Sequence, residues 1–150
     1  MQVFYDQVFN KTIDIHASPT AVWEALTNVK LMQQWMFDSE IVILTDWGIG
    51  NSITIQIEPD AYKKGFENKG IVLKYEPERL LQYSHLSSLS GLPDLHQNYS
   101  LITFALVPNE DQTILTLTLS NFPTEIIYRH LVFYWEVTLE LFKQYTLRAV

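Results

Sequence analysis

Hydrophobic positions along the chain follow two periods, and the switch between them sets out the elements. Residues 3–16 read as a strand. In Ser18-Pro19-Thr20-Ala21-Val22-Trp23-Glu24-Ala25-Leu26 the apolar residues Val22, Trp23 and Leu26 recur at the spacing of one helix face. Ser18 makes a good N-cap because its hydroxyl can accept an orphaned N–H of the first turn. Pro19 suits the first helical position, where a missing N–H costs nothing. This helix is predicted to stop near Thr27-Asn28. A second short helix is predicted over 29–36, with Leu31, Met32 and Trp35 on one stripe.

Downstream the period falls from about 3.6 to 2. Strands are predicted over 40–44, 52–58, 69–75, 79–85, 99–107 and 112–120, with a glycine-bearing turn at 46–51. Within them Ile53, Ile55 and Ile57 share one face, as do Leu115, Leu117 and Leu119, while polar residues take the other. The stretch 86–98 is the longest irregular one and a candidate lid or binding loop. Thr124 is a plausible N-cap, with Glu125 where a helix dipole favours negative charge. A long helix is then predicted to about 148. Its apolar stripe is Ile127 or Tyr128, Leu131, Trp135, Leu139 or Thr138, Phe142 and Tyr145. A sheet that alternates in this way has one face to bury, and only the last helix is long enough to cover it. The expected fold is α+β: a curved antiparallel sheet of about six to seven strands wrapped on a long C-terminal helix. Two short helices follow the first strand, and residues 1–150 form one domain.

This order resembles the helix-grip fold of the START-like (SRPBCC) superfamily. More narrowly it resembles the heat-shock-protein-90 ATPase activator homologue family, over about 10–148. The stretches that carry the likeness are 15–27 with its Ala17-Ser18-Pro19 and Val22-Trp23 pairs, Trp35-Met36, and Tyr75-Glu76-Pro77 through Tyr83-Ser84-His85. They continue with Leu89-Ser90-Gly91-Leu92-Pro93-Asp94, Asn98-Tyr99, 113–117, and Trp135 with Leu139, Phe142 and Lys143. The second helix departs from the family's usual Asp-Pro opening by having Asn28-Val29. The resemblance implies a gap between sheet and last helix. It also implies binding, transfer, cyclase or co-chaperone roles, because one fold hosts all of these.

Composition narrows the choice. Ten Lys and Arg stand against 17 Asp and Glu, a net charge of −7. That opposes binding to nucleic acid or to an anionic membrane, since both are polyanions. Cysteine is absent, which excludes disulfides, thiolate metal sites and cysteine nucleophiles. No leader-like start and no apolar run of about 20 residues is present, so a cytoplasmic protein without membrane insertion is expected.

Candidate chemistry is sparse. His16, His85, His96 and His130 show no metal-ligand spacing, although His85 and His96 could approach across the loop beside Asp94. Glu76 with Glu78 and Glu136 with Glu140 read as solvated faces. Neither a GxSxG elbow nor a phosphate-binding glycine loop occurs. Aromatics make up 13% of the chain, and Trp35, Phe37, Trp47, Tyr83, Tyr99, Phe122, Tyr134 and Trp135 are expected to converge on the gap.

The favoured reading is a cofactor-free, metal-free protein that binds a small hydrophobic or amphipathic molecule without catalytic residues. Its expected walls are Trp35, Trp47, Ile55, Tyr83, His85, Leu117, Phe122, Leu131 and Trp135. Tyr83 and His85 serve as polar anchors, and loop 86–98 as the gate. Two alternatives stay open: an interaction module acting on an Hsp90-type chaperone, as in stress response, and a cyclase or hydrolase using the same cavity. A monomer and a homodimer are both compatible, with Val3, Phe4 and Tyr5 as a candidate dimer contact.

Overall fold

The computed structural model describes residues 5–149. Strand β1 (Phe9–Ile15) is followed by helices α1 (Pro19–Thr27) and α2 (Val29–Trp35). Six more strands come next: β2 (Ile41–Leu44), β3 (Ser52–Ile57), β4 (Phe66–Glu76), β5 (Leu80–Ser87), β6 (Ser100–Asn109) and β7 (Gln112–Ser120). Helix α3 (Glu125–Ala149) closes the chain. The seven strands form one antiparallel sheet in the order β1-β7-β6-β5-β4-β3-β2. This is the α+β architecture expected from the pattern, in the helix-grip order that the resemblance implies.

Local chemistry explains the boundaries. Ser18 Oγ accepts from the Ala21 N–H at 3.1 Å and starts α1. Asn28 serves two helices at once. Its backbone N–H donates to the Glu24 carbonyl and ends α1, and its Oδ1 accepts from the Lys30 N–H at 3.0 Å and opens α2. Asn caps a helix as well as Asp does, so the departure from Asp-Pro leaves the second helix in place. Thr124 Oγ1 accepts from the Ile127 N–H at 3.2 Å at the head of α3.

Several boundaries differ from expectation. Regular pairing in β1 begins at Phe9, and upstream Tyr5 makes an isolated bridge to Phe122. Val3 and Phe4 lie outside the described residues. Strand β4 begins at Phe66, three residues before 69, because Phe66, Glu67 and Asn68 pair with Ile57, Gln56 and Ile55. Pro108 and Asn109 belong to β6, and the turn is Glu110-Asp111, with Glu110 at φ 60°.

The core lies between the inner face of the sheet and α3. From the sheet come Leu115, Leu117 and Leu119, each 0% exposed, and Phe104. From the helix come Leu131, Trp135, Leu139 and Phe142. Helix α2 wedges beside them, and the Trp35 ring meets the Phe142 ring edge-on at 4.7 Å between centroids. These large rings fill most of the layer. At the end bordered by β3, β4 and β5 the layer is closed instead by the segment 88–98.

That segment is tied to the sheet by polar contacts. The Glu67 N–H donates to Ser88 Oγ at 3.0 Å, and Lys69 Nζ pairs with Asp94 at 2.5 Å. The Tyr99 hydroxyl donates to the other Asp94 oxygen at 2.5 Å. Asn98 Nδ2 donates to the Pro93 carbonyl within the segment.

Candidate functional site

Beneath this segment lies a cavity of about 350 Å³. Its floor is the inner face of four adjacent strands, with Ile55 from β3, Asn68 from β4, Tyr83 and His85 from β5 and Ile102 from β6. Directly paired residues share a face, and the register pairs Ile55 with Asn68 and Tyr83 with Ile102. The roof is the first half of α3, through Ile127, Leu131, Tyr134 and Trp135. Phe37 and Phe66 close one side, and Leu86, Leu89, Leu92 and Asn98 close the other.

Tyr134 fixes the roof to α2. Its hydroxyl donates to the Met36 carbonyl, and its ring stacks on Phe37 at 5.2 Å between centroids. Burial pushes the Tyr83 and Tyr134 phenols above their ordinary range, so both stay protonated. Burial also pushes the His85 imidazole down to about 4, which keeps it neutral at pH 7. A base that weak has little driving force for proton abstraction at neutral pH. Among the described residues no Lys, Arg, Asp or Glu lines the cavity.

Five of the nine residues expected as walls do line this cavity: Ile55, Tyr83, His85, Leu131 and Trp135. The other four lie elsewhere. Trp35 is buried against Phe142 and donates its Nε1–H to the Ala25 carbonyl at 2.9 Å. Trp47 stacks on Tyr75 and donates to the Thr27 carbonyl at 2.7 Å, so it braces α1 against the sheet. Leu117, 0% exposed, is core on β7, the strand next to the edge strand β1. Phe122 packs edge-on against Tyr128 where α3 begins. The loop expected at 86–98 does supply a wall, although β5 continues through Ser87.

His85 and His96 do not form a cluster. His96 is exposed, and Asp94 spends both oxygens on Lys69 and Tyr99. The Lys69 hydrogen bond, then that of Tyr99, holds the Asp94 carboxyl below the usual carboxylate range. Burial and then the Asp94 contact push the Tyr99 phenol up to about 12. Among the described residues no group of three or more His, Asp or Glu could hold a metal ion, and no helix is long and apolar enough to cross a membrane. Asn68, Ile102 and His130 also border the cavity and were not expected there. Asn68 had a signal: it extends the inward phase of Gly70 and Val72.

The depressed His85 pKa makes stability depend on pH. Between pH 6.5 and about 4 the unfolded chain takes up a proton that the folded chain refuses. Stability attributable to this residue is therefore full above pH 6.5 and falls as the pH drops toward 4. Urea unfolding at pH 7 and pH 4.5 is expected to show about 2 kcal/mol lost through this group. His85→Gln is expected to flatten that part of the slope, and an unchanged slope would show a well-hydrated imidazole.

Comparison with known proteins follows from the fold. The solution structure of ChR145 from Cytophaga hutchinsonii is 31% identical, with a TM-score of 0.77 and coverage of 95% of each chain. The crystal structure of CV1439 from Chromobacterium violaceum superposes with a TM-score of 0.78 at 17% identity, over 91% of this chain and 94% of that one. A solution structure of the Aha1 dimer from Colwellia psychrerythraea gives a TM-score of 0.67 at 23% identity, over 91% and 93%. No curated protein matches the sequence. The family described as activator of Hsp90 ATPase homolog 1-like protein matches residues 16–146, nearly the whole helix-grip unit from the end of β1 to the last turn of α3. The chain belongs to that family.

Proposed function

We propose that the protein binds a small hydrophobic or amphipathic molecule in the cavity between β3–β6 and α3, and holds it without turning it over. One observation supports this above all. About 350 Å³ of space is walled by Ile, Leu, Phe and Trp side chains, with Tyr83 and His85 as polar tips. Concave, largely apolar sites with a few directed polar groups are the usual form of small-molecule sites. The segment 88–98 acts as the gate, because side-chain contacts through Ser88, Asp94 and Tyr99 hold it over the cavity. A cytoplasmic location fits this role.

Titration with the neutral fluorophore N-phenyl-1-naphthylamine tests the reading. Saturable binding with a blue-shifted emission is expected. Leu131→Trp fills the cavity from the roof and is expected to weaken binding about ten-fold or more, while stability changes by roughly 1 kcal/mol or less. A filled variant that binds as well as the parent would remove the cavity from consideration.

A second reading is action on an Hsp90-type chaperone. Family membership supports it, as does an apolar stripe of Phe133, Val137 and Leu141 exposed on α3 away from the cavity. Self-association competes for the same stripe, and one structural neighbour, Aha1 from Colwellia psychrerythraea, is a dimer. Absence of fluorophore binding together with a raised chaperone ATPase rate would put this reading in place of the first.

A further inference from the structure

The cavity is not chemically uniform. Along the inner face of β5, Leu81 and Tyr83 give way to His85 and Ser87. The neighbouring strands change in step. Ile102 is paired with Tyr83, but Ser100 is paired with His85 and Asn68 with Ser87. A polar row of Asn68, Ser87, His85 and Ser100 therefore crosses three strands at the end covered by segment 88–98.

Two atoms of this row are buried without a hydrogen-bond partner, Asn68 Oδ1 and Ser100 Oγ. Asn68 is only 8% exposed and borders the cavity. Buried polar atoms are nearly always paired, so two neighbouring exceptions ask for a reason. A half-turn of the Asn68 carboxamide exchanges its oxygen and nitrogen with little change of shape. It can thus offer a donor or an acceptor to the cavity. A neutral His85 also offers one of each. No formal charge stands among the lining residues to meet an ion. His130, which also borders the cavity, is exposed on α3.

Resting on the reading that the cavity binds an amphiphile, we propose that its ligand is uncharged and carries one hydroxyl or carboxamide group. Asn68 and His85 hold that group at the polar end, and the apolar body lies under Leu131 and Trp135. A hydroxyl or an amide satisfies partners that both donate and accept. A carboxylate or an ammonium would lose its water and find no counter-charge.

The test is displacement of N-phenyl-1-naphthylamine from the full chain at pH 7.5 by five probes of matched chain length: 1-decanol, decanamide, 1-chlorodecane, decanoate and decylammonium. Decanol and decanamide are expected to bind about ten-fold tighter than the other three. Asn68→Leu keeps the shape and removes both polar atoms. It is expected to bring decanol to the level of 1-chlorodecane and to leave 1-chlorodecane no weaker. Asn68→Ser retains a hydroxyl and is expected to keep part of the preference. The ranking on the unmodified chain decides the question of charge even if a variant fails to fold. Decanoate binding as tightly as decanol overturns the proposal and leaves the cavity reading standing, as does a decanol preference that survives Asn68→Leu. Failure of every probe, 1-chlorodecane included, removes both.

Discussion

Gly70→Ala is expected to destabilise the fold by about 3 kcal/mol or more, at the upper end of what overpacking costs. A Cβ at this position would stand 1.7 Å from the Ser84 carbonyl oxygen and 2.5 Å from its carbon. Those are backbone atoms of β5, so no rotamer change relieves the clash. The two strands approach closely here, and the Ile71 N–H bonds to Ser84 Oγ at 2.9 Å. Accommodating a methyl group would push β5 away from β4 beside Tyr83 and His85, the two polar tips of the cavity. The urea midpoint of the variant reads the loss, and fluorophore binding is expected to fall with it. A loss under about 1 kcal/mol would mean that β5 can slide along β4 at little cost.

Trp135→Ala is expected to cost about 3–5 kcal/mol, the range for truncating a large buried aromatic. The side chain is 3% exposed and meets Phe104 edge-on at 5.4 Å and Tyr134 at 5.1 Å between centroids. It also separates the cavity from the filled part of the core. Removing it joins the cavity to a new void, so the variant is expected to accept bulkier ligands while unfolding at much lower denaturant. Trp135→Phe keeps most of the ring contacts and is expected to lose less than half as much. Guanidinium unfolding of both variants, beside the exposed control Glu136→Ala, checks the order. Equal losses for Ala and Phe would place the energy in the indole rather than in the packing.

Elements were legible in the sequence because their signals are local. The Ser18-Pro19 opening, the alternation of 112–120 and the Thr124-Glu125 cap each lie within a few residues of what they determine. The position of the cavity was only half legible. Strand phase tells which face a side chain takes, but not how far along the layer the facing rings reach. Leu117 has the right phase and sits where Phe104, Trp135 and Phe142 already fill the space. Ile55 and Tyr83 have the same phase and sit where they do not. Trp47 is held at φ 60°, a left-handed conformation rare for a bulky residue, and its ring is carried toward Thr27 and Tyr75. Nothing in the Asp46–Asn51 turn announces that. Asn68 was missed because Glu67, Asn68 and Lys69 have weak strand preference, and it is pairing with β3 and β5 that holds them extended.

The order of strands in the sheet has a consequence for folding. The first strand pairs with the seventh, and the Thr12 and Thr116 hydroxyls that meet across this ladder are 104 residues apart. Closing so long a loop costs entropy that is repaid only when the distant partner is in place. On a ribosome, β1 emerges early and waits for β7, and the rows of Leu115, Leu117 and Phe104 stay uncovered until α3 follows. The cavity is then the last part of the molecule to exist, and the interval before α3 docks is when the nascent sheet is most exposed to other chains.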